Sequence, residues 1–216
     1  MGDPLTPPPI LHGYFRSTAS WRVRIALHLK GIAHRDAFHH LRHGGQRTPG
    51  YLAINPQGLV PALETAQGVL TQSLAICDYL DAIVPEPPLL PADPFAAARV
   101  RGFAMAIACD VHPVQNLSVL ARLRALGLGE EAVTGWARDV IEGGLTACAA
   151  LIADQPGPYC FGAAVTLADL CLVPQMANAR RFGAPTGIGR LEAIEAACLA
   201  LPAFDATRPE RQADAE

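Results

Sequence analysis

The sequence predicts an α/β domain followed by an all-helical domain. Over roughly the first 84 residues the patterns run strand, helix, strand and then strand, strand, helix, which indicates a small mixed sheet with helices packed on it. Five prolines then occur in the ten residues 85–94 and indicate a semi-rigid linker. Beyond this linker the patterns are helical throughout. Hydrophobic residues make up 50% of the 216 residues, which is enough to bury a substantial core.

The first strand and the first helix carry the strongest local pattern. After a strand over residues 10–14, the hydroxyl-bearing Ser17, Thr18 and Ser20 mark a helix start, and Gly31 marks its end. Apolar side chains form two stripes on this helix, so we expect it to be buried on two sides. Its first N–H groups and positive dipole end suit an anion. Because the sequence has no glycine-rich phosphate loop, a thiolate or a carboxylate fits better than a nucleotide phosphate.

A proline interrupts the next apolar run. A weakly patterned second strand within residues 33–41 leads into a polar loop, and a turn follows at residues 55–58. The apolar run over residues 59–63 contains Pro61, which cannot donate a hydrogen bond to a sheet. Either Pro61 lies at a sheet edge, which is the commoner situation, or the Val60–Pro61 peptide bond is cis and presents the Val60 backbone to a ligand.

Caps and prolines predict the later boundaries. A strand over residues 69–71 ends at Gln72, and Ser73 is the expected N-cap of a helix over residues 74–84 that Pro85 stops. Four helical stretches are expected after the linker. The first covers residues 95–126 with a break at His112-Pro113, and the second covers residues 131–153. The third begins with a capping box at Thr166 and Asp169 and runs to about residue 181, and the fourth covers residues 190–201. The tail from Arg208 is polar and is expected to be loose.

Composition and charge exclude several classes of function. The net charge of −3 gives no reason to expect a nucleic acid or an anionic membrane surface as a partner. No apolar run reaches the roughly 18 residues of a membrane span. The N-terminal MGDPLTPPP lacks the basic flank and apolar core of a signal peptide, so we expect residues 1–9 to be a disordered leader.

The cysteines and histidines do not predict a metal site. None of the six cysteines forms a Cys-x-x-Cys pair and each lies among apolar residues, so buried free thiols in a reducing compartment are expected. This cysteine usage predicts a cytoplasmic protein. His39, His40 and His43 form a cluster, but no cysteine or acidic ligand with matching spacing lies nearby. We therefore expect a solvated polar loop there, with no metal.

Several motifs together resemble one protein family. They are SxxSWRVRIAL at residues 17–27, NP at 55–56, QSLAI at 72–76, HPVQNL at 112–117 and LADLCLVPQ at 167–175. Over roughly residues 10–207 the chain resembles the zeta class of glutathione transferases, which comprises the maleylacetoacetate and maleylpyruvate isomerases. The resemblance implies the glutathione transferase fold and a homodimer. The implied domains are a thioredoxin-like, glutathione-binding domain at 10–84, the proline-rich linker at 85–93, an all-helical domain at 94–207 and the loose tail at 208–216.

The resemblance also implies a glutathione site. Ser17 would hydrogen-bond the glutathione sulfur, and a hydroxyl donor at a helix N-terminus favours a thiolate on physical grounds as well. Without the resemblance, Ser17 serves equally well as a helix cap alone. The other implied binding residues are Thr18, Ala19, Gln46 for the glycyl end, Val60 for the cysteinyl backbone, Gln72 and Ser73 for the γ-glutamyl carboxylate, His112, Asn116 and Ser118. Ala19 stands where the class carries cysteine, and this is not expected to abolish activity because Ser17 is the sulfur donor.

The implied reaction is the glutathione-dependent cis–trans isomerisation of maleylacetoacetate to fumarylacetoacetate in tyrosine and phenylalanine catabolism, by thiolate addition, bond rotation and elimination. The diacid substrate requires cations, and arginine suits carboxylates. Arg16 and Arg181 are the candidates, with Arg180 beside the latter, and they join Ser17 and Thr18 as the implied catalytic residues. Leu117-Ser118 replaces the paired arginines of some maleylpyruvate-specific relatives, which favours maleylacetoacetate.

Three alternative functions stay open at this stage. The chain could isomerise maleylpyruvate, or it could be a transferase that conjugates small electrophiles or removes halide from α-halo acids. A third alternative, from a different class, is a non-catalytic protein that binds glutathione or carries a ligand.

Overall fold

A computed structural model describes residues 5–216 of the chain, and this part forms two compact units. The first unit comprises the residues up to Leu89 together with Leu201–Glu216, and the second is Leu90–Ala200. The sheet belongs to the first unit and the second unit is helical, which confirms the predicted fold class. The predicted leader, residues 1–9, falls partly on residues 1–4, which lie outside the described residues. Its last residue, Pro9, is buried and accepts a hydrogen bond from the Arg35 amide, so the ordered fold begins earlier than predicted.

The elements follow the predicted order, with small shifts at their ends. In chain order they are β1 (Ile10–Gly13), α1 (Thr18–Leu29), β2 (Arg35–Phe38), α2 (Pro49–Ile54), β3 (Ala62–Thr65), β4 (Gly68–Thr71), α3 (Ser73–Ile83), α4 (Pro94–Met105), a π-helical segment (Ala106–Val111), α5 (Leu117–Ala125), α6 (Glu130–Leu151), α7 (Leu167–Phe182), α8 (Gly189–Leu199) and α9 (Pro202–Ala206), with short 3-10 turns at Leu41–His43, Gly45–Arg47 and Pro209–Arg211.

The four strands form one mixed sheet in the order β2-β1-β3-β4. β1 pairs with β2 in parallel, whereas β3 is antiparallel to both β1 and β4. Pro61 directly precedes β3, which is an internal strand, and the Val60–Pro61 peptide bond is cis. The sheet-edge interpretation of Pro61 is therefore wrong, and the cis alternative is the one observed.

Helix α1 is buried on two sides, as its two apolar stripes predict. Ten of its residues, from Thr18 to Leu27, are buried. Trp21 donates a hydrogen bond from Nε1 to the Thr207 hydroxyl over 3.0 Å, which holds α1 against the chain that follows α9. Phe204 in α9 is fully buried. Residues 201–207, predicted to end the helical domain, therefore pack as part of the first unit.

The segment predicted as a polar loop and the tail predicted to be loose both differ from the prediction. The polar loop after β2 contains α2, which begins at Pro49 with the Thr48 hydroxyl as its cap. This pairing of a hydroxyl N-cap with proline at the first helical position is a recognised start signal that the prediction missed. In the tail, the Gln212 side-chain amide donates to the carbonyls of Ala206 and Arg208, so residues 208–216 are held by hydrogen bonds and are not loose.

The second unit is built around α7, most of whose residues are buried. The predicted capping box is confirmed: the Asp169 carboxylate accepts from the Thr166 amide over 2.8 Å and from the Thr166 hydroxyl over 2.9 Å. The predicted break near His112 takes the form of the π-helical segment, in which the His112 amide bonds to the Ile107 carbonyl. A Cβ atom on Gly144 of α6 would lie 2.2 Å from Val111, so this glycine lets α6 approach the segment closely.

Candidate active site

One end of the sheet gathers the segments of the first unit that carry the predicted glutathione-binding residues. His12 of β1 pairs with Ala62 of β3, which pairs with Thr71 of β4, and Gly13 lies beside Phe38 of β2. The chain therefore leaves β1, β2 and β4 and enters β3 at the same end of the sheet. The residues that follow or precede these strand ends include Ser17, Gln46, Val60, Gln72 and Ser73.

Ser17 is the N-cap of α1. It has extended backbone geometry, and its Oγ accepts a hydrogen bond from the Ser20 amide over 3.1 Å. Since a serine hydroxyl is both an acceptor and a donor, this bond leaves the Ser17 O–H proton available to an anion. Capping and anion binding are thus compatible roles of the same half-buried hydroxyl.

The residues that flank Ser17 differ in exposure. Thr18 and Ala19 are buried. The Thr18 hydroxyl has no hydrogen-bond partner within the described chain, so it can still donate or accept. Arg16 is partly exposed, and its guanidinium lies over the Phe15 ring, 4.9 Å from the ring centre. The stacking orients this cation next to the start of α1.

The start of α3 is a second helix N-terminus at this end of the sheet. The predicted N-cap, Ser73, is instead the first residue of the helix, and Gln72 is the cap. No side chain of the described residues caps this end, so its first N–H groups remain available. Gln72 has φ 69°, a left-handed conformation that no other described non-glycine residue adopts. Such strain is of order 1–3 kcal/mol and tends to occur at ligand sites.

Ser73 is the first helical residue of α3, and its hydroxyl accepts a hydrogen bond from α1. The buried guanidinium of Arg22, on α1, donates from Nη1 to Ser73 Oγ over 3.2 Å. Nε and Nη2 of Arg22 have no hydrogen-bond partner in the part of the chain that is described. A buried cation with unused donors stands directly behind the open N-terminus of α3, and this arrangement favours a carboxylate at that terminus.

The loop that carries Gln46 lies against the turn before Val60. Gly58, with φ +62°, approaches the Gln46 carbonyl so closely that a Cβ atom there would lie 3.1 Å from it. Gln57 accepts a hydrogen bond from the Gln72 side-chain amide over 3.1 Å, so this turn also touches the start of α3. The Gln46 side chain donates to the Leu41 carbonyl over 3.3 Å. Its Oε1 is buried without a partner among residues 5–216.

A ring cluster supports the same loops from the sheet side. The Tyr51 hydroxyl donates to the Leu59 carbonyl over 2.6 Å, and burial raises the pKa of Tyr51 to about 12. His39 packs on Tyr51 and lies 3.0 Å from His12, ring nitrogen to ring nitrogen. Burial, reinforced by His12, lowers the pKa of His39. The predicted histidine cluster is thus partly a packed ring assembly, and His40 and His43 stack on each other beside it.

No group of histidine, cysteine and acidic side chains within residues 5–216 is arranged to hold a metal ion. All six cysteines are free thiols. Five are buried, as predicted, but Cys109 is exposed because it lies on the outer side of the π-helical segment. No helix within the described residues is long and apolar enough to cross a membrane.

The predicted site residues of the second unit lie on three of its elements. His112 ends the π-helical segment, Asn116 is the N-cap of α5, and Ser118 is exposed on the first turn of that helix. Arg181 lies exposed on the last turn of α7, and its Nη1 donates to the Asn178 side chain over 3.4 Å.

Arg180, next to Arg181, forms an ion pair with Glu195 of α8, in which Nη1 lies 2.8 Å from Oε1. The hydrogen bonds of Glu195 raise the pKa of Arg180. Arg180 thus neutralises a buried carboxylate, whereas the Arg181 side chain lies exposed on the last turn of α7.

Sequence reasoning missed the two arginines buried in α1. Arg22 bonds to Ser73, and Arg24 donates to the backbone carbonyls of Tyr14 and Phe15 over 3.4 and 2.9 Å. Burial lowers the pKa of Arg24 to about 10. A signal was available: a helix with two apolar stripes leaves little exposed surface, so both arginines had to be buried and bonded.

Comparison with known proteins finds relatives over nearly the whole chain. The family model described as "Glutathione S-transferase, N-terminal domain" matches residues 16–83. A maleylacetoacetate isomerase of Pseudomonas aeruginosa is 46% identical over 208 residues, which cover 94% of this chain and 97% of the relative.

Two solved structures are similar throughout. The holo structure of a maleyl pyruvate isomerase, described as a bacterial glutathione S-transferase in Zeta class, superposes with a TM-score of 0.93 at 41% identity and covers 96% of this chain and 100% of its own. A maleylacetoacetate isomerase from Methylobacterium extorquens AM1 with bound malonate and GSH has a TM-score of 0.92 at 41% identity, covering 96% of this chain and 99% of its own.

Proposed function

Because the chain belongs to the zeta class of glutathione transferases, the maleylacetoacetate isomerase family, we propose that it catalyses the glutathione-dependent cis–trans isomerisation of maleylacetoacetate to fumarylacetoacetate. The observation that carries the proposal is the convergence of the Ser17, Gln46, Val60 and Gln72-Ser73 segments at one end of the sheet. The activity belongs to tyrosine and phenylalanine catabolism.

The residues at this end of the sheet fit glutathione. The Ser17 hydroxyl has a proton to donate to a thiolate. The N-terminus of α3, with the cation of Arg22 behind Ser73, suits the γ-glutamyl carboxylate. The Gln46 and Thr18 side chains each keep a buried oxygen that finds no partner in the described residues, and polar ligand groups would satisfy them.

Bound glutathione supplies a thiolate that can add to a carbon of the double bond and leave again, so that it is returned unchanged. The protein must keep the sulfur ionised near neutral pH, and the Ser17 hydroxyl at the positive end of α1 does so by hydrogen bonding and dipole attraction. The Val60 backbone and the amides of α3 hold the tripeptide in place. His112 and Asn116 on the second unit are further binding residues in this proposal, together with Ala19 and Ser118.

Two arginines provide charge for the diacid substrate. Arg16, stacked on Phe15 next to the start of α1, and Arg181, exposed on α7, are the proposed carboxylate-binding cations. Ser118 is not an arginine, which supports maleylacetoacetate over maleylpyruvate. The likeness to a maleyl pyruvate isomerase structure keeps that second substrate as the alternative to be tested.

The proposal also includes the glutathione-binding domain, the oligomeric state and the cellular location. We assign glutathione binding to the domain at residues 10–84, and we propose a cytoplasmic homodimer. The family resemblance supports the dimer, and the six free cysteines support a reducing compartment.

The test is to follow the absorbance of maleylacetoacetate, and separately of maleylpyruvate, with glutathione at a small fraction of the substrate concentration. Many turnovers per glutathione support isomerisation, and the faster substrate identifies the preferred one. Consumption of one thiol per substrate would show a conjugating transferase. If neither substrate reacts while glutathione still binds, the same assay with small electrophiles and α-halo acids separates a transferase from a non-catalytic binder.

A further inference from the structure

The C-terminal segment of the first unit, residues 208–216, contacts the loop that precedes Ser17. The Asp214 carboxylate accepts a hydrogen bond from the Phe15 amide over 2.9 Å, across 199 residues of sequence. Two positions further, the Glu216 carboxylate pairs with His40 in the loop that follows β2. The segment thus touches two of the loops that leave the site end of the sheet.

The bond to the Phe15 amide comes from outside the β1–α1 loop and α1, unlike the bonds that the Tyr14 and Phe15 carbonyls accept. The Tyr14 carbonyl accepts from the Ser17 amide over 3.0 Å and from Arg24, and the Phe15 carbonyl accepts from Arg24 over 2.9 Å. All these partners belong to the loop itself or to α1. The Phe15 N–H, in contrast, is held by Asp214 from outside.

We infer that Asp214 is a positioning residue for Ser17: by fixing the Phe15 amide, two residues before the cap of α1, it sets the direction of the Ser17 hydroxyl toward the glutathione sulfur. This inference rests on the proposed function. It assigns a role to a segment in which no sequence motif indicated one.

Loss of the Asp214–Phe15 hydrogen bond should change the position of Ser17. The peptide group between Tyr14 and Phe15 is held through its carbonyl by the Ser17 amide and Arg24, and through its N–H by Asp214. Loss of the Asp214 bond leaves the buried Phe15 N–H without this acceptor, and a shift of the peptide toward another acceptor is passed to Ser17, whose amide bonds to the same peptide. Displacements of about 1 Å at a reacting group are known to lower rates by up to about a hundredfold.

The experiment compares Asp214→Ala with Asp214→Asn. Both remove one negative charge, but only the alanine removes the acceptor oxygen, so the difference between the two variants reports positioning and not charge. Glu210→Ala, at an exposed carboxylate of the same segment, is the matched control for charge loss. The readout is the ultraviolet absorbance of the thiolate in the enzyme–glutathione complex, titrated against pH, together with kcat and KM and the unfolding temperature.

We expect the thiolate of the Asp214→Ala complex to titrate about 0.5 to 1 pH unit above that of Asp214→Asn, a factor of about three to ten in the thiolate-to-thiol ratio. The kcat should fall by a comparable factor, while Asp214→Asn stays close to wild type and Glu210→Ala is unchanged. If the alanine variant does not fold, the Asp214→Asn complex alone tests the inference. A thiolate that titrates at the same pH in this complex as in wild type still supports the inference. A thiolate titration that moves as far in Asp214→Asn as in Ser17→Ala overturns it.

The outcomes separate the inference from the proposed function. Equal titrations and equal kcat for Asp214→Ala and Asp214→Asn would overturn the role of Asp214 alone. A wild-type complex whose thiol titrates like free glutathione would overturn the proposed role of Ser17, and the positioning role with it.

Discussion

The guanidinium of Arg22 donates a hydrogen bond to the Ser73 hydroxyl over 3.2 Å and so joins α1 to the first residue of α3. Arg22 is buried, and two of its three guanidinium nitrogens have no hydrogen-bond partner in the described part of the chain. The pair connects the two helix N-termini that we propose for the sulfur and for the γ-glutamyl carboxylate. A charged donor held this way is worth about 1.5–3 kcal/mol.

Ser73→Ala should therefore lower the free energy of unfolding by about 1–3 kcal/mol, because it removes the acceptor of a buried cation. It should also weaken glutathione binding by about tenfold, since the carboxylate loses a neighbouring donor. Chemical denaturation and calorimetric titration with glutathione measure the two effects. Thr146→Ala, at an exposed hydroxyl of α6, is the control. Additive effects in a double-mutant cycle of Ser73→Ala with Arg22→Met would contradict the coupling.

Replacement of Ser17 tests the proposed sulfur donor. Ser17→Ala should lower kcat by about a hundredfold or more, in the range seen when one donor to a developing anion is removed. It should also cost about 0.5–2 kcal/mol of stability, because Ser17 caps α1 through the Ser20 amide. The measurements are steady-state kinetics and thermal unfolding.

Ser20→Ala is the matched control for Ser17→Ala. The Ser20 hydroxyl is buried in the same turn but has no partner within residues 5–216, so its removal should leave both stability and turnover nearly unchanged. Equal losses of activity in the two variants would indicate that Ser17 acts only through the helix start.

Much of this fold was predictable because local signals agreed with the tertiary structure. The apolar stripes of α1 predicted its two-sided burial, and the capping box at Thr166 predicted the start of α7. The N-cap of α3 was predicted at Ser73, one residue too late, because the hydroxyl suggested a cap and local rules do not predict a glutamine with φ 69° before it.

The candidate site was predictable only in part. Its segments lie far apart in sequence, and the family resemblance, more than local pattern, indicated Gln46, Val60 and Gln72. The contribution of Asp214 depends on a contact across 199 residues, and a polar tail carries no periodic signal that predicts such a contact.

The neighbouring Arg180 and Arg181 should have separable roles. Arg181→Ala should raise the KM for the diacid severalfold with little effect on stability, because the side chain is exposed and would meet a carboxylate. Arg180→Ala should instead lower stability by about 1–3 kcal/mol, because it leaves the Glu195 carboxylate, whose side chain is only 5% exposed, without its cation. Each variant is the control for the other. A rise in KM for Arg180→Ala alone would reverse the assignment.

Stability should decrease on mild acidification because of His39. Burial, with His12 nearby, lowers its pKa in the folded protein, so the unfolded chain takes up a proton at a higher pH than the folded one. The free energy of unfolding should therefore fall between about pH 7 and pH 5, and less steeply in His39→Gln. Denaturant titrations at several pH values measure the slope.

Asp169 should be the most stability-sensitive polar residue of the second unit. Its buried carboxylate accepts hydrogen bonds from the Thr166 amide and hydroxyl and from the Cys160 amide, the last over 2.8 Å. Asp169→Ala removes all three acceptor contacts and should lower the free energy of unfolding by about 3 kcal/mol or more. Asp169→Asn retains one acceptor oxygen and should lose about half as much. Glu142→Ala, at an exposed carboxylate of α6, should be neutral within about 0.5 kcal/mol. Glutathione affinity per folded molecule should stay unchanged in all three variants, since Asp169 contacts none of the proposed site residues. A loss of affinity that exceeds the loss of folded protein would show that the capping box also affects the geometry of the site.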